Sequence, residues 1–263
     1  MSPDLSPSSL LGLLARHRTV SITALIIAIA IPYVRHDYTT YLSYGPGGLP
    51  YNVTGWLTST VFLRALAQEA FSTAVYDDPT LPFAQAPGYL PSGFPPRRAG
   101  TRPKIGPHPV PQRQIEQLPD EGVRMALIQR FEALAKRAQE KGVVEVRQSV
   151  HERQHQGIFV ADGKARHAVA EETRGEISHV HAGLDGSVHV VMSPQDCKTV
   201  IEAGWGQRHG LDGAKSLKRI MGFSLPVNYM LIYAPRTEAE VDVVLRCVEA
   251  GVRFMTGYRG TLD

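Results

Sequence analysis

Between Asp77 and Pro119 the chain carries eleven of its 19 prolines, in strings such as FPPRRAGTRPKIGPHPVPQRQ. Proline fixes φ and removes an amide donor, so this stretch can be neither a helix nor a paired strand. It must be a linker or an ordered strap, with separate elements before and after it. The cluster Arg97, Arg98, Arg102 and Lys104 within it reads first as a solvated loop. Over the whole chain, 28 Lys+Arg against 25 Asp+Glu leaves +3, too small an excess for a nucleic-acid partner. The two cysteines, Cys197 and Cys247, are too few for a disulfide framework.

Ahead of the strap, Val20 to Val34 reads VSITALIIAIAIPYV without a charge, flanked by Arg16, His17 and Arg18 and by Arg35, His36 and Asp37. Fifteen helical residues reach about 23 Å, short of the ~30 Å hydrocarbon core, a gap that snorkelling arginines can bridge. A signal peptide would need small residues at its cleavage site, where Pro32, Tyr33 and Arg35 stand instead. A membrane anchor over residues 20–34 is therefore preferred to a signal peptide or a core helix ending near Pro32. A second apolar stretch, Val53 to Ala74, places Trp56, Thr60, Leu63, Ala67 and Ala70 at helical spacing, as a packed or interfacial helix would. Asn52-Val53-Thr54 is a glycosylation sequon only if this side faces a secretory lumen. The expected organisation is an anchor over 1–40, an interfacial helix and strap over 41–119, and a catalytic domain over 120–263, with 41–263 forming one compact unit.

After Pro119 the pattern becomes globular. Val123, Leu127, Phe131, Leu134 and Ala138 mark a helix that stops at Lys141-Gly142. Strand-like runs follow at Val143–Val150, Gly157–Ala161, Glu176–His181, Ser187–Met192 and Tyr229–Tyr233. Ser193-Pro194 opens a helix that ends at Gly204, and Thr237-Glu238-Ala239-Glu240 is a capping box for the last one. Without regular strand–helix alternation, the pattern predicts an α+β fold, a mostly antiparallel sheet with packed helices behind an N-terminal anchor helix.

Three motifs can carry chemistry. His151-Glu152-Arg153-Gln154-His155 matches H-E-x-x-H, but that zinc-protease pattern needs a helix and its neighbours here read as strand. In Glu176-Ile177-Ser178-His179-Val180-His181, residues two apart share a face, so His179 and His181 project together. The turn 182–186 then brings His189 back within reach on an antiparallel partner. Three such imidazoles can bind zinc or iron, or act as acid, base and donor. Third, Gly204-Trp205-Gly206-Gln207-Arg208-His209 reads as a tight loop presenting a ring, a cation and a titratable group, and Tyr233-Ala234-Pro235-Arg236 leaves a buried strand near it.

Taken together, E-I-S-H-V-H (176–181), S-V-H-V-V (187–191), G-W-G-Q-R-H (204–209), Y-A-P-R (233–236) and R-F-M-T (253–256) closely resemble the fungal luciferase family. R-H-D-Y (35–38), V-Y-D (75–77) and G-T-R-P (100–103) extend the resemblance over nearly the whole chain. Departures are Gly210, where the family usually has proline, and Ala214–Val227, whose length varies. The resemblance implies a single-pass protein of the endoplasmic reticulum membrane that oxidises the styrylpyrone 3-hydroxyhispidin with O2. Caffeylpyruvate, carbon dioxide and green light are the implied products, with no cofactor and no metal. Some relatives do not glow, so a dark oxygenase or an anchored binding module also fits the family, and a metal-dependent hydrolase using His179, His181 and His189 fits the residues alone.

For an oxygenase of this kind the expected catalytic residues are His179, His181, His189, His209 and Arg208. One histidine would deprotonate the pyrone hydroxyl, and Arg208 or Arg236 would stabilise the resulting anion. Trp205 and Tyr233 would stack on the planar substrate, with Arg236 and Glu176 completing its binding site.

Overall fold

The computed structural model describes Gly12 and residues 15–214, 217–219 and 224–262. Most of the chain before Ala15, and residues 215–216 and 220–223 of the variable stretch, lie outside the described residues. The chain divides after Ser43 into two units. The first contains one 26-residue helix, α1 (Arg18–Ser43), long and apolar enough to cross a membrane by length and composition. At 1.5 Å per residue it extends about 39 Å, well beyond the 23 Å of the charge-free run. Pro32 does not end it. One proline removes one hydrogen bond, and no glycine or further proline follows until Gly45. The apolar side chains of Val20, Ile26 and Ile29 stand exposed along it.

The second unit begins with α2 (Val53–Leu57), capped by Asn52, whose Oδ1 accepts from the amides of Thr54 and Gly55. It continues through a π-helical turn, Thr58–Leu63, and ends with Arg64–Leu66. The helix therefore stops before Ala67 and Ala70, because Ala67 is already extended.

Beyond the strap, α3 (Glu121–Glu140) is capped by Asp120. Six strands then form one antiparallel sheet in the order β1-β2-β3-β4-β6-β5. They are β1 (Val144–Gln148), β2 (Gln156–Val160), β3 (Glu176–Val180), β4 (Val188–Val191), β5 (Gly206–Arg208) and β6 (Tyr229–Ile232). Helix α4 (Ala168–Glu172) precedes β3, α5 (Pro194–Glu202) follows β4, and α6 (Glu238–Thr256) closes the unit. Every strand expected from alternation is present. The Gly204–His209 segment is a loop only at its start: Gly204, at φ +85° where α5 ends, and Trp205 make the turn, and Gly206–Arg208 form the edge strand β5.

Helices α3 and α6 pack together and against the sheet. Leu127, Phe131 and Leu134 from α3 and Val241, Val244 and Val248 from α6 join Val190 and Ile177 in the core. Thr237 caps α6 through its hydroxyl, as the capping box requires, but the Glu240 carboxylate turns instead to the Arg236 amide and guanidinium.

The proline-rich stretch is an ordered strap, held mainly by polar anchors. Arg102 donates to the carbonyl of Gly206 at 2.9 Å, and the Arg98 amide donates to Ala203. Asp196 accepts from the amides of Tyr89 and Leu90. Residues 104–115 double back, with Gly106 N donating to Arg113 O and Ile115 N to Lys104 O. The Gln114 side chain accepts from the Ala234 amide, fixing this tongue to the sheet.

Candidate active site

The register of the central hairpin places His179 directly opposite His189. Directly paired residues project on the same face, and so does His181 two positions along. The rings form a triangle with centroids 5.5, 5.2 and 5.0 Å apart. His209 follows β5 with its ring 5.5 Å from His189, and Tyr229 of β6 stacks on His189 at 4.8 Å and 22°. All five are buried. They line a cavity of about 380 Å³ with His151, Glu152 and the tongue residues Val110, Pro111, Gln112 and Arg113.

The outer nitrogen of each hairpin histidine is engaged behind the cavity. His179 Nδ1 lies 2.7 Å from Glu176 Oε1, and His189 Nδ1 lies 3.1 Å from the Met230 carbonyl. Both partners accept, so both rings carry their proton on Nδ1. His181 Nδ1 is 2.9 Å from Ser187 Oγ, whose own proton goes to Asp185, so this ring also donates through Nδ1. Three Nε2 lone pairs are thereby left for the cavity. One ligand nitrogen from each ring lies within 4.8 Å of the other two. His209 is the reverse case: its Nδ1 accepts from the Leu211 amide at 3.1 Å, leaving its proton on Nε2.

Simple alternation puts Glu176 and His179 on opposite faces of β3. The structure joins them because the β2–β3 register shifts by one residue between Ile158 and Phe159, leaving Ile177 without a direct partner. This bulge brings Glu176 beneath His179 while Ile177 packs into the core. Ser149 Oγ at 2.6 Å and the Val150 amide at 2.8 Å complete the ring of donors around the carboxylate. Glu176 thus positions His179 from below. Burial raises its pKa, but hydrogen bonds from His179 and Ser149 and the neighbouring histidines bring it down to about 2.

Burial also holds His181 and His189 well below the ordinary imidazole value, with Arg113 and neighbouring rings adding to the effect at His181 and the other histidines at His189. It lowers His209 to about 3. His181, His189 and His209 therefore face the cavity as neutral imidazoles at working pH. Groups whose folded pKa is depressed contribute stability that is complete above the unfolded histidine value, ~6.5, and lost as pH falls toward the folded one. Thermal melts should accordingly show stability steady above pH 7 and falling below pH 6. Each such imidazole removes up to about 1.4 kcal/mol per pH unit. A flat profile between pH 7 and 5 would contradict the neutral assignment.

The remaining expected residues stand elsewhere. Arg208 is held by Asp212 in two 2.7 Å hydrogen bonds. Trp205 donates from Nε1 to the Pro96 carbonyl, and Tyr233 donates to Gln207 Oε1. The Arg98 guanidinium lies 5.8 Å from the Trp205 ring centre and 5.6 Å from that of Tyr233. Arg236 pairs with Glu240 and donates to the Ala99 carbonyl. Trp205, Tyr233 and Arg236 clamp the strap, Arg208 holds the Asp212 turn, and none of the four side chains lines the histidine cavity.

Spacing alone missed Arg113, Tyr229 and Asp185. As expected, H-E-x-x-H is no helical zinc motif, since 151–155 is a turn between β1 and β2, but that turn brings His151 and Glu152 to the cavity wall. Glu152 pairs with the buried Arg113, Oε1 to Nη2 at 2.5 Å, and its Oε2 lies 3.8 Å from His181 Nε2. His151 Nε2 is buried and makes no hydrogen bond.

An α+β domain whose sheet gathers four buried imidazoles around one cavity defines a protein built to hold a small molecule. Residues 174–251, which carry that hairpin, match the family described as Luciferase domain. The chain is 35% identical to a protein named luciferase from Armillaria mellea, over 92% of this chain and 90% of that one. It is 33% identical to a luciferase of Neonothopanus nambi, over 97% and 96%. The chain belongs to the fungal luciferase family, as its histidine and Gly-Trp-Gly motifs imply. No solved structure matches it.

Proposed function

We propose that the protein is an O2-dependent luciferase acting on a hydroxylated styrylpyrone, 3-hydroxyhispidin, to give caffeylpyruvate, carbon dioxide and light. The observation carrying this reading is the convergence of the three hairpin imidazoles, each braced through Nδ1, on one cavity, in a chain about a third identical to luciferases. A cavity of about 380 Å³ falls within the range that encloses small planar ligands.

Ground-state O2 is a triplet, so a closed-shell organic molecule must first surrender an electron. An enolate does so far more readily than its neutral enol. A chamber offering lone pairs from the neutral imidazoles of His181 and His189 favours loss of the pyrone hydroxyl proton. The Nε2–H of His209 is then placed to donate to the resulting oxyanion. Tyr229 and His189 present stacked ring faces of the kind a conjugated substrate prefers. Enclosure beneath the tongue keeps water from intercepting a peroxide. Helix α1 serves as the anchor in this reading, holding the domain where an apolar substrate partitions.

Incubating the full chain with 3-hydroxyhispidin in air, while recording photons, O2 uptake and substrate loss, tests the proposal. Light accompanied by O2 consumption is expected, in the membrane pellet and not the supernatant. Substrate loss without light would make it a dark oxygenase. Neither signal would overturn the substrate assignment, and activity confined to the supernatant would overturn the anchor.

A further inference from the structure

We propose that His179, His181 and His189 form a binding site for one divalent first-row transition ion, with open coordination positions facing the cavity. The inference rests on the arrangement of these side chains and not on the substrate reading above.

Imidazole ligands of a protein-bound metal commonly donate their second ring N–H to a carboxylate, hydroxyl or backbone carbonyl, which fixes both tautomer and ring orientation. Each of the three rings does so. Glu176 sits behind His179, Ser187 and Asp185 behind His181, and the Met230 carbonyl behind His189. All three Nδ1 atoms are thus spent outward and all three Nε2 lone pairs are left inward. A base requires one such nitrogen. Three buried together, each braced by an acceptor, leave a concentration of lone pairs without a proton to share.

Charge and shape agree with a cation. Two buried carboxylates, Glu176 and Asp185, stand behind the rings, while the buried Arg113 of the cavity wall is paired to Glu152. Nitrogens bound at ~2.1 Å to a tetrahedral ion stand about 3.4 Å apart. One nitrogen from each ring here lies within 4.8 Å of the other two, a spacing from which a single ion can gather all three. His209 is excluded from the ligand set by its tautomer, since its Nε2 carries the proton. Three imidazoles without a thiolate suit zinc, iron, cobalt or nickel in preference to magnesium or calcium. The open positions face the space where the substrate oxygen would lie, so an ion there would favour the same enolate form argued above.

Cobalt(II) chloride alone, titrated into the chelator-treated full chain in detergent, tests the site without reference to light. One equivalent should bind per chain, with visible d–d absorption and an X-ray absorption shell of three nitrogens at about 2.0–2.1 Å. His189→Ala should abolish stoichiometric binding, and Glu176→Gln should weaken it about 10–100-fold by freeing the His179 ring. If His189→Ala does not fold, the nitrogen shell of the unmodified protein decides the matter. Binding well below one equivalent, a shell without imidazole scattering, or unchanged affinity in a folded His189→Ala would overturn the site. Failure here leaves the oxygenase reading standing, and absence of light leaves the metal result standing.

Discussion

Replacing His181 with alanine should lower turnover of the pyrone by about 10²–10⁴-fold, the range spanned by loss of a positioned proton-transfer group. The fold should survive the change. Asp185, the carboxylate behind His181, keeps three other donors: the Ser187 hydroxyl at 2.7 Å, the Ser187 amide at 2.8 Å and the Gln114 amide at 2.7 Å. The deleted ring borders a cavity, so no packed neighbour collapses into its place. His209→Ala should also depress turnover, toward the lower end of that range, because it removes a neutral donor and not one of the three lone pairs. Steady-state light emission and substrate loss, with circular dichroism as the check on folding, measure both variants. Wild-type rates from the two folded variants would remove the imidazole cluster from the chemistry.

The largest effect on stability is expected at Arg113. Its guanidinium donates to both oxygens of Glu152 and to the carbonyls of Tyr44 and Pro46, joining the tongue, the β1–β2 turn and the segment after α1. Arg113→Met would strand a buried carboxylate beside His181, at a cost of about 3–5 kcal/mol. For a domain of this size that corresponds to a fall in Tm of roughly 10 °C. Adding Glu152→Gln should recover most of the loss, because the stranded charge disappears. Calorimetry on the two variants separates buried charge from simple loss of packing. A single variant melting within about 2 °C of the parent would show that water reaches the pair.

Much of this architecture is legible in the residue pattern. β-Branched alternation located five strands to within a residue or two, and the spacing of His179, His181 and His189 was sufficient to predict a shared face. The unread part has physical causes. A single-residue bulge at Ile177 cannot be seen in an alternation pattern, yet it decides that Glu176 supports His179. The Arg113–Glu152 pair joins residues 39 positions apart, and no local periodicity encodes it. Trp205, Tyr233 and Arg236 suit a ligand by their chemistry, as aromatic and cationic groups beside glycine and proline. The same chemistry suits a proline-rich strap, and the strap is what they touch. The charge-free run over 20–34 marks the apolar part of α1 but not its length, because the polar residues up to Ser43 continue the same helix.

The strap also dictates an order of events during synthesis. Residues 77–119 leave the ribosome before any of the strands, and their holding groups come later: Asp196, the carbonyls of Ala203 and Gly206, Ala234 and finally Arg236. Contacts separated by a hundred residues or more form late, because loop closure must precede them. The nascent chain therefore carries an unsecured, extended segment until its final helix is nearly made. The chamber is roofed late, by a segment made early in the domain settling onto one made near its end.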